Sequence, residues 1–435
     1  MNAKWIFLVL PIAIGAWVLT DVLETTPSPE TKRTLLAEAG CVFMTTMGSQ
    51  SSAEYAQYKT SENVMLSVRD GLSWLADAQL PNGGYGAGSH NAQHVRDPHA
   101  VKADPATTAM VAQALLRSGN TFKSGAYATQ LKDAVSYLLE TVENAEKGGA
   151  YITEVRGTQI QRKLGENIDA VLTAQLLSNV LDRNLKGLDK ERVTRCLDIC
   201  IDKIESGTDV SGKQMGAGWA GVLQSGLATS ALESAKAVGV QVDERVMNRS
   251  RKYQEGNYNK DTGAVSTEDG AGIMLYAVSG SVRGSASKAR KAKKAIERAK
   301  KKGVLSEDAE VSVANLKKAG FAESDAMGYA TSYEVYESAK MKAQEEKVMD
   351  GFGNNGGEEF LSFLQTGESL LVNEDNDWKQ WYDDMSGRIL KIQNKDGSWN
   401  GHHCITSPVF CTATSILLLT VENDIEFLQK VGAND

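Results

Sequence analysis

Residues 393–413 read QNKDGSWNGHHCITSPVFCTA. A turn led by Gln393 carries Gly397 and Trp399. The triplet His402-His403-Cys404 comes next, and a stretch patterned like a helix follows. A glycine there permits positive φ, and an aromatic ring beside it can pack on an adjacent element. The triplet is either a chemical site or the polar end of a structural repeat. Whether the surrounding pattern recurs decides between the two.

It does recur. An amphipathic helix, a Gly-rich turn and a helix rich in small residues follow one another along most of the chain. The second helices of these pairs are expected to begin near 105, 166, 223, 268, 357 and 406. A spacing of about 45–60 residues marks a repeat architecture. The first helix of each pair is polar on one face and belongs outside. The second carries Ala, Gly, Ser and Thr on most faces, so it packs inside, where small side chains allow close approach. Six such hairpins can close into a ring of two concentric layers, each burying its apolar face on its neighbours. The fifth pair must lie between 303 and 373; its second helix reads GGEEFLSFLQTGESLL and its first is ambiguous.

Two turns share a spacing: Gln393-x-x-x-Gly397-x-Trp399, and Gln79-x-x-x-Gly83-Gly84-Tyr85 with tyrosine in the tryptophan place. MGAGW (215–219) and NKDTGAV (259–265) read as decayed copies. With the six phased hairpins, these turns resemble the QW motif of the terpenoid cyclase and protein prenyltransferase α/α-toroid superfamily. The nearest resemblance is to exported bacterial proteins with prenyltransferase and squalene-oxidase repeats. It implies an all-α (α/α)6 toroid over residues 61–425, in which the aromatic of the motif is structural.

The chemistry of that superfamily does not carry over. Polyene cyclisation needs the central acid of an Asp-x-Asp-Asp motif, which is absent; Asp383 and Asp384 stand alone on an expected outer helix. Cyclase cavities are paved with aromatics that stabilise cations, and aromatics make up only 7% of this chain. Asp198-Ile199-Cys200 matches the letters of a prenyltransferase zinc site but falls inside an expected outer helix.

Composition sets further bounds. The chain has 435 residues, 42% apolar and 23% charged, with a formal net charge of −8, which disfavours nucleic acid. Residues 283–302 oppose that balance, with ten Lys/Arg and one Glu, leaving −17 on the rest. They read as a basic helical insertion near 283–305, either a solvated helix or a dock for an anionic partner. At the N-terminus, Lys4 and the apolar run 5–19 suit a signal peptide or membrane anchor over 1–25, short for a full span. Export is therefore expected, with a linker at 26–60 and a C-terminal tail at 426–435. The odd count of five cysteines is no disulfide framework. Cys196 and Cys200 read as buried core thiols.

Two sets of residues are candidates for function. Asp104, Asp269, Glu358 and Glu359 stand at or just before inner helices. They serve either as caps and dipole partners or as the rim of an acidic pocket, where paired carboxylates suit glycoside hydrolysis. His90, His94 and His99 occupy the turn of the first hairpin, and His402, His403 and Cys404 that of the sixth. A closed ring makes these turns neighbours. Imidazole with thiolate or carboxylate suits zinc or another transition metal; polar closure of the seam is the plainer reading. The expectation is thus an exported toroid that binds a protein or small-molecule ligand without cyclase chemistry. A metal-dependent or carboxylate-based enzyme at the ring mouth is the alternative.

Overall fold

The computed structural model describes residues 61–434. The expected signal or anchor and the linker lie outside the described residues. Within them the chain is helical, without a named strand. In chain order the helices are α1 Glu62–Asp77, α2 Pro105–Arg117, α3 Ala128–Glu143, α4 Gln159–Lys163, α5 Ile168–Asp182 and α6 Lys190–Ser206. They continue as α7 Gly221–Ala237, α8 Glu244–Gly256, α9 Met274–Lys301, α10 Val313–Lys318 and α11 Glu323–Ala343. The last are α12 Glu346–Met349, α13 Gly357–Asn373, α14 Trp378–Lys391, α15 Pro408–Leu419 and α16 Ile425–Ala433.

Six of these form a closed inner ring. Helix α2 packs on α5, α5 on α7, α7 on α9, α9 on α13, α13 on α15, and α15 back on α2. Outside them stand α1, α3, α6, α8, α11 and α14, so the molecule is an α/α toroid of six hairpins. The inner helices begin at 105, 168, 221, 274, 357 and 408, close to the positions expected from the pattern. Their composition explains their place. All of α7 except Lys236 is buried, as is all of α2 except Gln113 and all of α13 except Glu368. Small residues let these helices pack closely on two sides at once. The outer helices are one-sided; α6 buries Val193, Cys196, Leu197, Cys200, Ile201 and Ile204 at helical spacing. Two inner helices start alike: Asp104 and Ser407 accept from backbone N–H groups three residues on, with proline at the first helical position.

The two turns with matching spacing have matching geometry. Gln79 Nε2 donates to the Gly83 carbonyl at 2.8 Å and to the Gln130 carbonyl at 2.9 Å. Gln393 Nε2 donates to the Gly397 carbonyl at 2.8 Å and to the Ser67 carbonyl at 2.9 Å. Each glutamine thus ties its own turn to the outer helix of the next hairpin, α3 in one case and α1 in the other. Gly83 and Gly397 have φ of 81° and 90°, and a Cβ on either would fall under 3 Å from the carbonyl oxygen of Asp133 or Asp70. The aromatics that follow, Tyr85 and Trp399, are fully buried, and their N–H groups donate to Thr108 and Thr412 at 2.9 and 2.8 Å.

Three expectations need correction. The basic stretch is not an insertion: it continues inner helix α9, which runs unbroken for 28 residues. Three of its charges turn inward, Arg283 on Glu233, Arg290 on Glu374 and Lys293 on Asn373, while Arg298, Lys301 and Lys302 near its end are exposed. Its far half packs Ala292, Ile296 and Ala299 against Leu316 of α10 and Ala326 and Ala330 of α11. That hairpin supplies the fifth outer helix. Second, residues 426–433 are no tail: they belong to α16, which packs on α7, α9 and α13. Third, Trp219 of MGAGW is 68% exposed, so this stretch does not keep the buried aromatic of the other turns.

Candidate functional site

The loops from outer to inner helix, residues 78–104, 144–167, 207–220, 257–273, 344–356 and 392–407, share the face where the inner helices begin. This mouth is stoppered. The short helix α4 lies across it, and its Gln159, fully buried, holds three loops together. Gln159 Nε2 donates to the Ala87 carbonyl at 2.9 Å, and its Oε1 accepts from Thr406 N at 2.7 Å.

The two histidine turns meet across the seam. Gln93 donates to the Cys404 carbonyl, Arg96 to the Thr406 carbonyl at 2.9 Å, and Thr406 Oγ1 to the Gln93 carbonyl at 2.9 Å. The histidine rings do not converge. His90 Nδ1 lies 3.1 Å from Gln93 Nε2, while His94, His99 and His402 are exposed. His403 alone turns inward, with Nε2 2.6 Å from the Asn354 carbonyl and 3.6 Å from Glu359 Oε2. Among the described residues no three His, Cys, Asp or Glu side chains gather as a metal-holding group.

The carboxylates are placed as caps and bridges. Asp104 accepts from Ala87 N and Thr107 N, both at 2.8 Å. Asp169 accepts from Ala106 N at 3.0 Å and from Gln161 Nε2 at 2.7 Å. Burial pushes their carboxyls up to about 6 and about 7, the latter with help from the neighbouring Asp104 charge. Asp269 lies outside any inner helix, in the turn before α9, and is bonded to Lys213 and Tyr253. Glu359 accepts from Gly356 N at 2.8 Å and from the Tyr276 hydroxyl. Glu358, 1% exposed, accepts from Ile405 N at 3.2 Å. Burial first, then the Glu359 charge, pushes its carboxyl up to about 8, so it is neutral at pH 7.

One continuous strip remains at the mouth. The Lys163 ammonium lies 4.2 Å from the Trp219 ring centroid and reaches Cys404 Sγ. Cys404, half-buried, holds a left-handed backbone with φ of 55°, which is uncommon outside glycine. Next to it, the His403 ring lies 4.9 Å from that of Phe352, which is 58% exposed. Burial and the Glu358 charge outweigh Lys163 and push the Cys404 thiol up to about 11. It is a thiol at neutral pH and a poor nucleophile. What the strip offers is a pair of exposed aromatic rings flanking polar groups. Of these residues, His403 and Cys404 are among those singled out from the sequence, whereas Trp219, Lys163 and Phe352 are not. The one available signal was the tryptophan in MGAGW, which was assigned to packing.

The ring axis gives little room for a substrate. Its cavity is about 40 Å³, a few waters' worth and far below the 300–1,000 Å³ of ordinary ligand pockets.

No protein-family model matches the sequence, and no curated protein matches it. Among solved structures the chain is similar to a glycosidase variant at 13% identity and a TM-score of 0.45, over 86% of this chain and 99% of that one. A glycosidase variant in complex with glucose is similar at 14% identity and a TM-score of 0.41, over the same shares.

Proposed function

We propose that this chain is an exported, non-cyclase toroid of the prenyltransferase and squalene-cyclase repeat type that binds a ligand or partner on its mouth. The strip Trp219–Lys163–Cys404–His403–Phe352 is the contact surface. The observation that carries the reading is the pairing of two exposed aromatic rings, Trp219 and Phe352, on the mouth face of a ring whose axial cavity is about 40 Å³. Exposed aromatics on a rigid, hydrogen-bonded platform are what binding surfaces use as anchors. The mouth carboxylates, by contrast, are consumed by backbone N–H groups and side chains. The test is nuclear magnetic resonance titration with a panel of cell-envelope saccharides and peptides. Saturable shifts at the Trp219 indole that vanish in Trp219→Ala support it; a panel that leaves the mouth resonances unmoved speaks against it.

A second reading is a carboxylate-based enzyme: Glu358 and Glu359 stand side by side in the first turn of α13, and burial raises the Glu358 carboxyl toward the protonated state a general acid needs. Turnover of a glycoside that Glu358→Gln abolishes, with folding intact, would replace the binding reading.

A further inference from the structure

The buried cations among the described residues are matched, with one exception. Arg117 pairs with Asp424, Arg251 and Arg283 with Glu233, Arg290 with Glu374 and Lys340 with Asp375. The Lys203 ammonium donates to the Glu146, Gly148 and Gly149 carbonyls at 2.9, 3.0 and 3.2 Å. Lys163, at the end of α4, is as buried as these, at 4% exposure. Among the described residues it makes no ion pair. Its ammonium meets the Cys404 thiol and, at 4.2 Å, the face of the Trp219 ring. A thiol is a weak acceptor, and a buried charge without a counter-charge is costly. Cys404 and Glu358 both feel the Lys163 charge, yet burial pushes each toward its neutral form. The same charge, with Arg162, adds to burial in holding the His90 ring below its usual range.

The cover over this ammonium is the removable kind. Trp219 is 68% exposed, and its indole makes no hydrogen bond among the described residues. Its backbone, by contrast, is fixed on α4. The Ala220 N–H donates to the Lys163 carbonyl at 2.8 Å, and the Gly218 N–H to the Leu164 carbonyl at 3.0 Å. A Cβ on Gly218 would lie 2.5 Å from the Lys163 carbonyl oxygen, so this turn lies directly on the end of the helix. Ring and ammonium are thus delivered to one spot in advance, which lowers the cost of binding there.

We infer that the ligand of this strip is an acidic saccharide, a pyranose bearing a carboxylate, with the carboxylate on the Lys163 ammonium and the sugar ring packed on Trp219. The inference rests on the binding reading above and adds to it the charge and the ring. A carboxylate supplies what Lys163 lacks, a charged acceptor. A pyranose offers an apolar face to the indole and hydroxyls to the polar groups beside it, Cys404 and His403. An anion without a ring would satisfy Lys163 and leave the indole uncovered.

Glucuronate is the probe, glucose its uncharged control and acetate its control without a ring. Each is titrated into the full chain and followed at the Trp219 indole resonance. Glucuronate should saturate the shift at a concentration at least about tenfold below glucose or acetate, and its affinity should fall as sodium chloride is raised. Lys163→Met, shown folded by circular dichroism, should bind glucuronate and glucose alike, while Lys163→Arg keeps the preference. If Lys163→Met does not fold, the salt dependence in the parent chain decides. Equal binding of glucuronate and glucose, a preference that survives Lys163→Met, or one untouched by salt overturns the inference and leaves the binding reading standing. Acetate matching glucuronate overturns the saccharide. A Trp219 resonance that moves with no saccharide or peptide of the wider panel overturns both.

Discussion

Ser67 and Gln393, 326 positions apart, hold one another twice: Gln393 Nε2 donates to the Ser67 carbonyl at 2.9 Å, and Ser67 Oγ donates to Gln393 Oε1 at 2.6 Å. This reciprocal pair joins the first hairpin to the last. Gln393→Ala removes it together with the bond to the Gly397 carbonyl, three bonds in all, at about 0.5–1.5 kcal/mol for each net hydrogen bond. Urea unfolding should show a loss of about 2–4 kcal/mol, with the larger part recovered by no single change at Ser67.

Trp399 should behave as a packing residue. It is fully buried against Gly71 of α1, where even a Cβ would lie 2.9 Å from the indole, and its Nε1 donates to the Ile389 carbonyl at 2.9 Å. Trp399→Ala should cost about 3–5 kcal/mol in the same assay. Unchanged stability would remove the aromatic from the closure of the ring.

Tyr85, in the equivalent place, predicts the opposite sign for a smaller change. Its hydroxyl is buried with no hydrogen-bond partner among the described residues. Tyr85→Phe deletes an unsatisfied polar group and keeps the ring, so stability should be unchanged or rise by up to about 1 kcal/mol. A clear loss on thermal unfolding would show that the hydroxyl is bonded.

The buried acids make stability depend on pH. Asp104, Asp169 and Glu358 sit at about 6, 7 and 8 in the folded chain, above their ordinary values of 3.8, 3.8 and 4.5. The folded state thus holds more protons than the unfolded one between pH 4 and 8, and stability falls as pH rises through that window. Asp424 works the other way. Burial opposes its ionisation, but Arg117 and Arg183 outweigh burial and hold it below 3.8, so its contribution is lost only as the pH falls through that lowered value. Glu358→Gln keeps an acceptor for Ile405 N–H and cannot ionise. Its melting temperature should fall less steeply between pH 5 and 8 than that of the parent chain.

Asp424 also anchors α16. It takes bonds from Arg117, Arg183 and Asn179. Asp424→Ala strands buried cations and should cost about 3–5 kcal/mol. Hydrogen exchange should accelerate first over 425–433; uniform acceleration across the ring would show that α16 has no separate anchorage.

The ring was legible in the sequence because its signal is periodic. Helices α2, α13 and α15 begin within two residues of expectation, since capping and small-residue composition are local properties. The fate of Arg283 and Arg290 was not legible. Charge counted along the chain makes 283–302 look solvated, whereas Glu233 and Glu374, distant in sequence, draw those arginines inward. Trp219 was misread for a related reason: its glycine-rich setting matches the packing turns, but whether a ring is covered depends on the neighbouring hairpin.

The Ser67–Gln393 clasp also sets an order of events during synthesis. Translation delivers the N-terminus first, yet the partner surface of α1 comes from residues 378–419, at the far end of the chain. Helix α1 therefore waits, with Val64, Val68 and Leu75 uncovered, until residues 378–419 have left the ribosome. Contacts of such sequence separation slow folding and leave apolar surface open to aggregation meanwhile. Chains truncated before 419 should accumulate as open arcs that need a holding chaperone, because the ring closes only when its first hairpin meets its sixth.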